Sequence, residues 1–338
     1  MRAWQIPTFG LDHLALVDAP DPTAPPGHVV VRVRAASLNY RDLMMVRGDY
    51  NPKQPLPLTP CSDGAGEIVD VGPECAAAVK IGARVATLFA QGFAGGRPTA
   101  AKIKRTLGGP LAGALATHIV LPEDGVAAIP DAWSFEEACT LPCAALTAWS
   151  ALVEQGNVKP GDRVLVLGTG GVACFALQIA RLAGARVLVV TAKPARALAL
   201  AAPGDGDAFG VIDRVATPEW EREVRKRWPE GADHVVEVGG AGTLMRSIKS
   251  TAVGGTVSVI GVLAGAVEPV SVVPVLMQNI RLQGVFVGSR DGFLAMTRAL
   301  ASSSLRPVID RVVPFDRAPD AFRALAAGEH VGKIVVAA

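Results

Sequence analysis

The stretch "RVLVLGTGGVACFALQIARLAG" (residues 163–184) restricts the fold of this chain more than any other. It opens with a short run that lacks polar alternation, as a strand covered on both faces does. Gly168, Gly170 and Ala173 then form a G-x-G-x-x-A pattern. The first glycine permits a tight turn, the second lets backbone approach a pyrophosphate, and the small third residue lets helix and strand pack closely. Val172, Phe175, Ala176, Ile179, Ala180 and Ala183 give the following segment one apolar helical face. Free N–H groups at the start of such a helix, from Gly170, Gly171 and Val172 onward, suit phosphate oxygens. Glycine turns also join strands to helices for purely structural reasons, so the context matters.

That context repeats downstream. "ARVLVV", "DHVVEVG", "GTLMRSIKSTA", "GTVSVIGV", "VVPVLMQN" and "IRLQGVFVGS" alternate strand-like with helical texture. Strands linked by helices predict a doubly wound parallel sheet, an α/β domain. Up to about residue 122 the texture differs: "HVVVRVRAAS", "GAGEIVDVG" and "ARVATLF" are β-like runs cut by Gly and Pro. From "WSFEEACTLPCAALTAWSALVEQG" helical periods begin, with Ser134 placed to cap a first turn carrying Glu136 and Glu137. The tail "HVGKIVVAA" reads as a strand free to return to the first domain.

Several function classes are disfavoured. With 33 Lys and Arg against 31 Asp and Glu, a net charge of +2 creates no field to attract nucleic acid or an acidic membrane. Signal-peptide and membrane-spanning runs are absent from the sequence, so the cytoplasm is the expected compartment. The five cysteines are an odd number without CxxC pairs, which favours reduced thiols. The charged run "EWEREVRKRW" alternates acids with bases and reads as the solvated face of a helix capped by Thr217 with Pro218 at its first position.

The second strand of the α/β domain ends in "VVTAKPAR", where an NAD-binding chain usually carries an acid for the ribose hydroxyls. Thr191 stands there instead, followed by Lys193 and Arg196. No carboxylate and two cations suit a 2′-phosphate, hence NADPH over NADH. The alternative is that both cations only solvate the start of the next helix.

Taken together, "ASLNYRD", "GAGEIVDVG", "LPCAALTAW", "VKPGDRVLVLGTGGV", "GADHVVEVGGAGTL", "GGTVSVIGV" and "HVGKIVV" resemble, in this order, the medium-chain dehydrogenase/reductase superfamily, in particular its zinc-independent branch of quinone oxidoreductases and zinc-free alcohol dehydrogenase-like proteins. The resemblance implies a GroES-like β domain from residues 1–122 and 292–338 and a Rossmann NAD(P)-binding domain from residues 123–291, with substrate in the cleft between them. It also implies a homodimer or homotetramer acting on a small molecule. By the same resemblance Thr147, Gly168, Gly170, Gly171, Val172, Thr191, Lys193, Arg196, Gly239, Gly261, Val262, Gly288 and Lys333 are the cofactor-binding residues.

The resemblance also bears on metal. Zinc relatives take catalytic ligands from a Cys where this chain has Asn39, a His where it has Ser62, and a Cys matching Cys143; Asp63 replaces a Glu. Asn and Ser are poor zinc ligands and one thiolate cannot build the site, so no metal is expected. Cys61 then reads as a packed apolar residue. Hydride transfer still needs a donor for the oxygen that gains charge. Asn39 is expected to orient substrate and nicotinamide, and Tyr40 either donates the proton or fills the wall of the cleft. Asp42 is expected to pair with Arg41 or a loop amide and stay ionised. The leading expectation is an NADPH-dependent, metal-free oxidoreductase that reduces a carbonyl, quinone or activated C=C bond. The alternative is a protein that binds NADPH without turnover.

Overall fold

The structure, a computed structural model, describes residues 1–202 and 204–337. These residues form two compact units, one of residues 1–146 and 287–338, the other of residues 147–286.

In the second unit six strands form one sheet: β1 (Arg163–Leu167), β2 (Arg186–Thr191), β3 (Phe209–Asp213), β4 (Ala232–Glu237), β5 (Thr251–Val259) and β6 (Arg281–Gly284). Their spatial order is 3-2-1-4-5-6 and every pairing is parallel. This is the Rossmann arrangement, whose strand order reverses between β1 and β4 and opens a crevice at their C-terminal ends. The apolar runs are strands because both faces are covered: Leu165, Leu188, Val235 and Val257 pack with Trp220, Val224 and Ile248, and the alternate residues Val164, Val166, Val187 and Val189 are buried as well.

The first unit is a GroES-like β fold. One sheet follows the order Ile309–Pro314, Lys333–Ala337, His28–Ser37, Asp63–Val71, Arg84–Thr87 and Val126–Ala128, and His118–Pro122 also pairs with His28–Ser37. The C-terminal strand thus returns to the N-terminal region, lying antiparallel to His28–Ser37. On it, a core of Trp4, Ile6, Leu43, Met45, Cys61, Leu115 and Phe322 fastens the helix Tyr40–Arg47.

Three details differ from the sequence expectation. The first unit runs to residue 146, not 122, because Val126–Ala128 adds to the sheet edge at Arg84–Thr87 and the Arg84 guanidinium donates to the Asp131 carbonyl at 2.7 Å. It resumes at 287, not 292, because the Arg290 and Asp291 N–H groups bond the Phe93 and Ala94 carbonyls. The charged helix starts at Trp220, without a Thr217 cap. Asp213 Oδ1 accepts from the N–H groups of Val215 and Ala216, and the Asp213 carbonyl accepts from Thr217, so a local turn occupies the residues that would otherwise have begun it. Ser134 does cap its helix, in a reciprocal box with Glu137.

Candidate active site

In the second unit the glycine turn lies at the switch between β1 and β4. Gly168 has φ 81°, a conformation that favours glycine, and its N–H bonds the Val190 carbonyl at 2.8 Å, which ties the turn to the end of β2. Gly170 caps the helix Gly171–Leu182, and a Cβ added to it meets nothing within 4 Å. Crowding within the protein therefore does not require glycine there. Open space at a helix N-terminus fits the close approach of a pyrophosphate. Val172 is half-buried in the first helical turn.

Thr191 ends β2 buried, its Oγ1 accepting from the Lys193 N–H at 3.1 Å. Lys193 is half-buried at the cap of the short helix Pro194–Leu198, and Arg196 is exposed on that helix. The structure therefore brings Thr191, Lys193 and Arg196 to the same sheet edge as the glycine turn. Gly239 and Gly261 also gather there, although packing alone explains them. A Cβ on Gly239 would meet Thr243 Oγ1 at 2.4 Å, and one on Gly261 the Val238 carbonyl oxygen at 2.4 Å. Val262, beside Gly261, is exposed. Thr147 is buried in the helix Leu146–Trp149 at the start of this unit.

The segment 238–243 is organised by a residue that sequence reasoning missed. Glu237, fully buried, accepts from the N–H groups of Gly239 (2.7 Å) and Gly240 (3.0 Å), from Thr243 Oγ1 (2.7 Å) and from Ser247 Oγ. The available signal was an acid at the end of an apolar strand followed by two glycines.

The first unit holds a second polar ensemble. Lys333, 2% exposed, donates through Nζ to the Leu38 carbonyl at 2.7 Å and to Asn39 Oδ1 at 2.6 Å, and lies 3.9 Å from Asp63 Oδ2. Asp63 is buried as well, accepting from Ser62 Oγ at 2.6 Å, the Cys143 N–H at 3.3 Å and Ser37 Oγ at 3.5 Å. Asn39 precedes the helix Tyr40–Arg47 and gives its own N–H to Asp42 Oδ2 at 2.8 Å. Its Nδ2 is buried without a hydrogen-bond partner. Tyr40 is 37% exposed.

The ensemble bears on three groups of expected site residues. Lys333 is engaged with Asn39 in the first unit, to which Gly288 also belongs. Arg41 is committed elsewhere: its guanidinium donates to the Leu107 and Gly109 carbonyls at 2.8 and 3.0 Å and stacks over Phe89 and Tyr50. Finally, Asp42 is not held in the ordinary carboxylate range by Arg41. Burial, the largest effect, pushes its carboxyl up to about 6 against the pull of Arg41. That cation stands 3.9 Å from an Oδ1 that receives no hydrogen bond.

Cys61 is a fully buried member of the apolar core, with φ 71°. Its backbone is pressed by the neighbouring chain, since a Cβ on Gly113 would meet the Cys61 carbonyl oxygen at 2.1 Å. Burial, then the carboxylates of Asp42 and Asp63, push its thiol well up, which opposes a nucleophilic thiolate.

Comparison with known proteins agrees with both units. Residues 25–131 match the alcohol dehydrogenase GroES-like domain and residues 171–302 the zinc-binding dehydrogenase family. A zinc-type alcohol dehydrogenase-like protein of Schizosaccharomyces pombe is 39% identical over 318 residues, covering 92% of this chain and 91% of the relative. The synaptic vesicle membrane protein VAT-1 homolog of Rattus norvegicus is 30% identical over 354 residues, 97% of this chain and 81% of that protein. A solved structure from Sinorhizobium meliloti, assigned as an alcohol dehydrogenase, is 38% identical with a TM-score of 0.91, covering 100% of this chain and 98% of its own. A solved NAD-dependent alcohol dehydrogenase is 32% identical with a TM-score of 0.88, each chain covered completely. The chain belongs to the medium-chain dehydrogenase/reductase family and is an NAD(P)-dependent oxidoreductase of the alcohol dehydrogenase-like kind.

Zinc is the metal that one of these family names implies, and the three corresponding side chains do not fit it. Asn39 Oδ1 already faces an ammonium, which repels a second cation. Ser62 gives its hydroxyl proton to Asp63. Cys143 alone of the three is a good zinc ligand, and one thiolate does not build a site that needs three protein ligands. Among the described residues no group of three or more His, Cys, Asp and Glu side chains is disposed to hold a metal ion.

Proposed function

We propose that the protein is an NADPH-dependent oxidoreductase that works without metal and reduces a carbonyl, a quinone or an activated C=C bond. The observation that carries this reading is the Asn39 Nδ2 group, a buried donor with no acceptor, in a setting whose side chains do not fit zinc. A hydrogen bond from Nδ2 would stabilise the substrate oxygen as it gains charge, the task that a Lewis acid performs in zinc enzymes. Tyr40, the next residue and partly exposed, is suited to deliver the proton. When bound, the dinucleotide supplies the hydride. Gly168, Gly170, Gly171 and Val172 would hold its pyrophosphate, and Lys193 and Arg196 its 2′-phosphate.

The choice of NADPH is supported by Thr191, which replaces the acid that would repel a 2′-phosphate, and by the two cations on its edge of the sheet. One relative, 32% identical, is an NAD-dependent alcohol dehydrogenase, and that dependence is its own property. The test is consumption of NADPH and NADH against a panel of quinones, enones, aldehydes and ketones. Preferential NADPH turnover with at least one class supports the proposal; faster turnover with NADH at physiological salt contradicts the phosphate site, and none with either contradicts the enzyme reading.

A homodimer, alone or within a homotetramer, is also proposed. Val272, Val273, Leu276 and Met277, each at least 60% exposed, lie on or beside the helix Val273–Met277 that leads into the edge strand β6. Apolar surface beside an unpaired strand edge favours pairing with a second copy. Sedimentation of the wild type and of Leu276→Lys tests this, a shift toward monomer being expected. A cytoplasmic location is proposed on the free state of all five cysteines; no helix among the described residues is long and apolar enough to cross a membrane.

A further inference from the structure

Lys333 begins the last strand of the first unit, and its Nζ bonds Asn39 Oδ1 at 2.6 Å and the Leu38 carbonyl at 2.7 Å. An ammonium carries three protons and no lone pair, so at that distance only the oxygen end of a carboxamide is stable against it. The alternative orientation would set NH2 against NH3⁺, two donors with no acceptor between them. Lys333 therefore decides which way the Asn39 amide points. With Oδ1 held, Nδ2 is turned the other way and remains buried and unpartnered. Asp63, 3.9 Å from Nζ, supplies the charge that keeps an ammonium in this buried place.

We propose that Lys333 is a positioning residue for the reaction, its ammonium holding Asn39 so that Nδ2 is presented to the substrate oxygen that gains charge. This rests on the reading of Asn39 as the donor. The substrate carbon gains the hydride, and its oxygen keeps the electron pair of the former double bond, bonded to Nδ2–H, until a proton from Tyr40 or solvent completes the product. The two electrons gained by the substrate are those lost on oxidation of the dihydronicotinamide. In this arrangement Lys333 touches neither substrate nor phosphate. It acts through the carboxamide.

The test combines a direct view of the amide with kinetics. The chain has four asparagines, Asn39, Asn51, Asn157 and Asn279. Selective 15N-asparagine labelling of the full chain thus gives four side-chain NH2 signals, and Asn39→Ala identifies the relevant one. Lys333→Met is expected to shift that signal and to lower kcat about tenfold with little change in the KM for NADPH, less than the roughly hundred- to thousandfold that outright removal of an oriented donor costs, because the amide remains but is no longer held. Asn39→Ala combined with Lys333→Met should be no slower than Asn39→Ala alone, and Lys333→Arg, which keeps charge and donors, should recover most of the turnover. An unshifted amide signal, a loss that multiplies with Asn39→Ala, or a raised KM for NADPH at unchanged kcat would each overturn the proposal. Where Lys333→Met does not fold, Asn39→Asp decides, because it keeps a partner for the ammonium and removes the donor. It should lose turnover as Asn39→Ala does, and wild-type kinetics there would overturn the proposal. A wild type that reduces no acceptor overturns the catalytic reading itself, and the amide signals then judge the orientation alone.

Discussion

Each unit buries a carboxylate, and the two are handled in opposite ways. Glu237 of the Rossmann unit is met by donors from its own next ten residues, the N–H groups of Gly239 and Gly240 and the hydroxyls of Thr243 and Ser247. Asp42 of the GroES-like unit has one oxygen bonded to the Asn39 N–H and the other without a hydrogen bond, and burial raises its carboxyl to about 6. The first arrangement locks a loop. The second keeps a polar ensemble under electrostatic tension, held by Lys333, Arg41 and Asp63. A rigid backbone suits a unit whose proposed task is to bind, whereas an unpartnered donor such as Asn39 Nδ2 suits the unit in which developing charge is proposed to be met.

The largest effect that would break this contrast concerns Glu237. Glu237→Ala removes the acceptor of four donors, three of them half-buried and one, Ser247 Oγ, buried, and is expected to cost about 3 kcal/mol of stability, measured by urea unfolding. A loss below about 1 kcal/mol would mean that the loop is not organised by this carboxylate.

Asp42→Asn should have a smaller effect of opposite character. The folded carboxyl titrates at about 6 against 3.8 for the free group, so between those values the native state binds the proton more tightly than the unfolded chain. The contribution of Asp42 is most favourable below about pH 4 and is lost as pH rises through about 6. The stability of the wild type relative to Asp42→Asn should therefore fall by on the order of 2–3 kcal/mol between about pH 4 and pH 7. A difference that is flat, or that rises with pH, would show that Arg41 outweighs burial after all.

The smallest effect sharpens the cofactor half of the comparison. Replacing Lys193 and Arg196 together by Ala should remove about 1 kcal/mol for each contact near the surface, raising the KM for NADPH roughly thirtyfold, weakening its salt dependence and leaving NADH nearly untouched. Equal effects on both cofactors would remove the 2′-phosphate assignment.

The same contrast explains what could be read from sequence. The Rossmann unit was legible because its determinants are local: apolar strands, a glycine turn and a helix within 22 residues from Arg163 to Gly184, repeated in the same texture downstream. Even there the helical face was drawn too narrowly. Ala173, Cys174 and Leu177 are buried along with Phe175, Ala176, Ile179 and Ala180, since the helix is covered on more than one side. In the GroES-like unit "LNYRD" was legible as a cluster of polar groups, but its chemistry depends on Lys333, 294 residues from Asn39. No spacing rule connects such positions. The lone hint was a lysine opening the apolar run "KIVVA", whose burial only the pairing of that strand with His28–Ser37 makes evident. Asp42 has both expected partners, Arg41 at 3.9 Å and the Asn39 N–H at 2.8 Å. What adjacency in sequence does not show is that the fold closes the carboxyl from water and also sends the guanidinium to the carbonyls of Leu107 and Gly109.

If an amide held by an ammonium, and not a metal, meets the developing charge, elemental analysis of the purified protein finds no stoichiometric zinc and chelation leaves NADPH turnover unchanged. One tightly held zinc per chain, removed together with activity and restored with it, would show that a metal does this work instead.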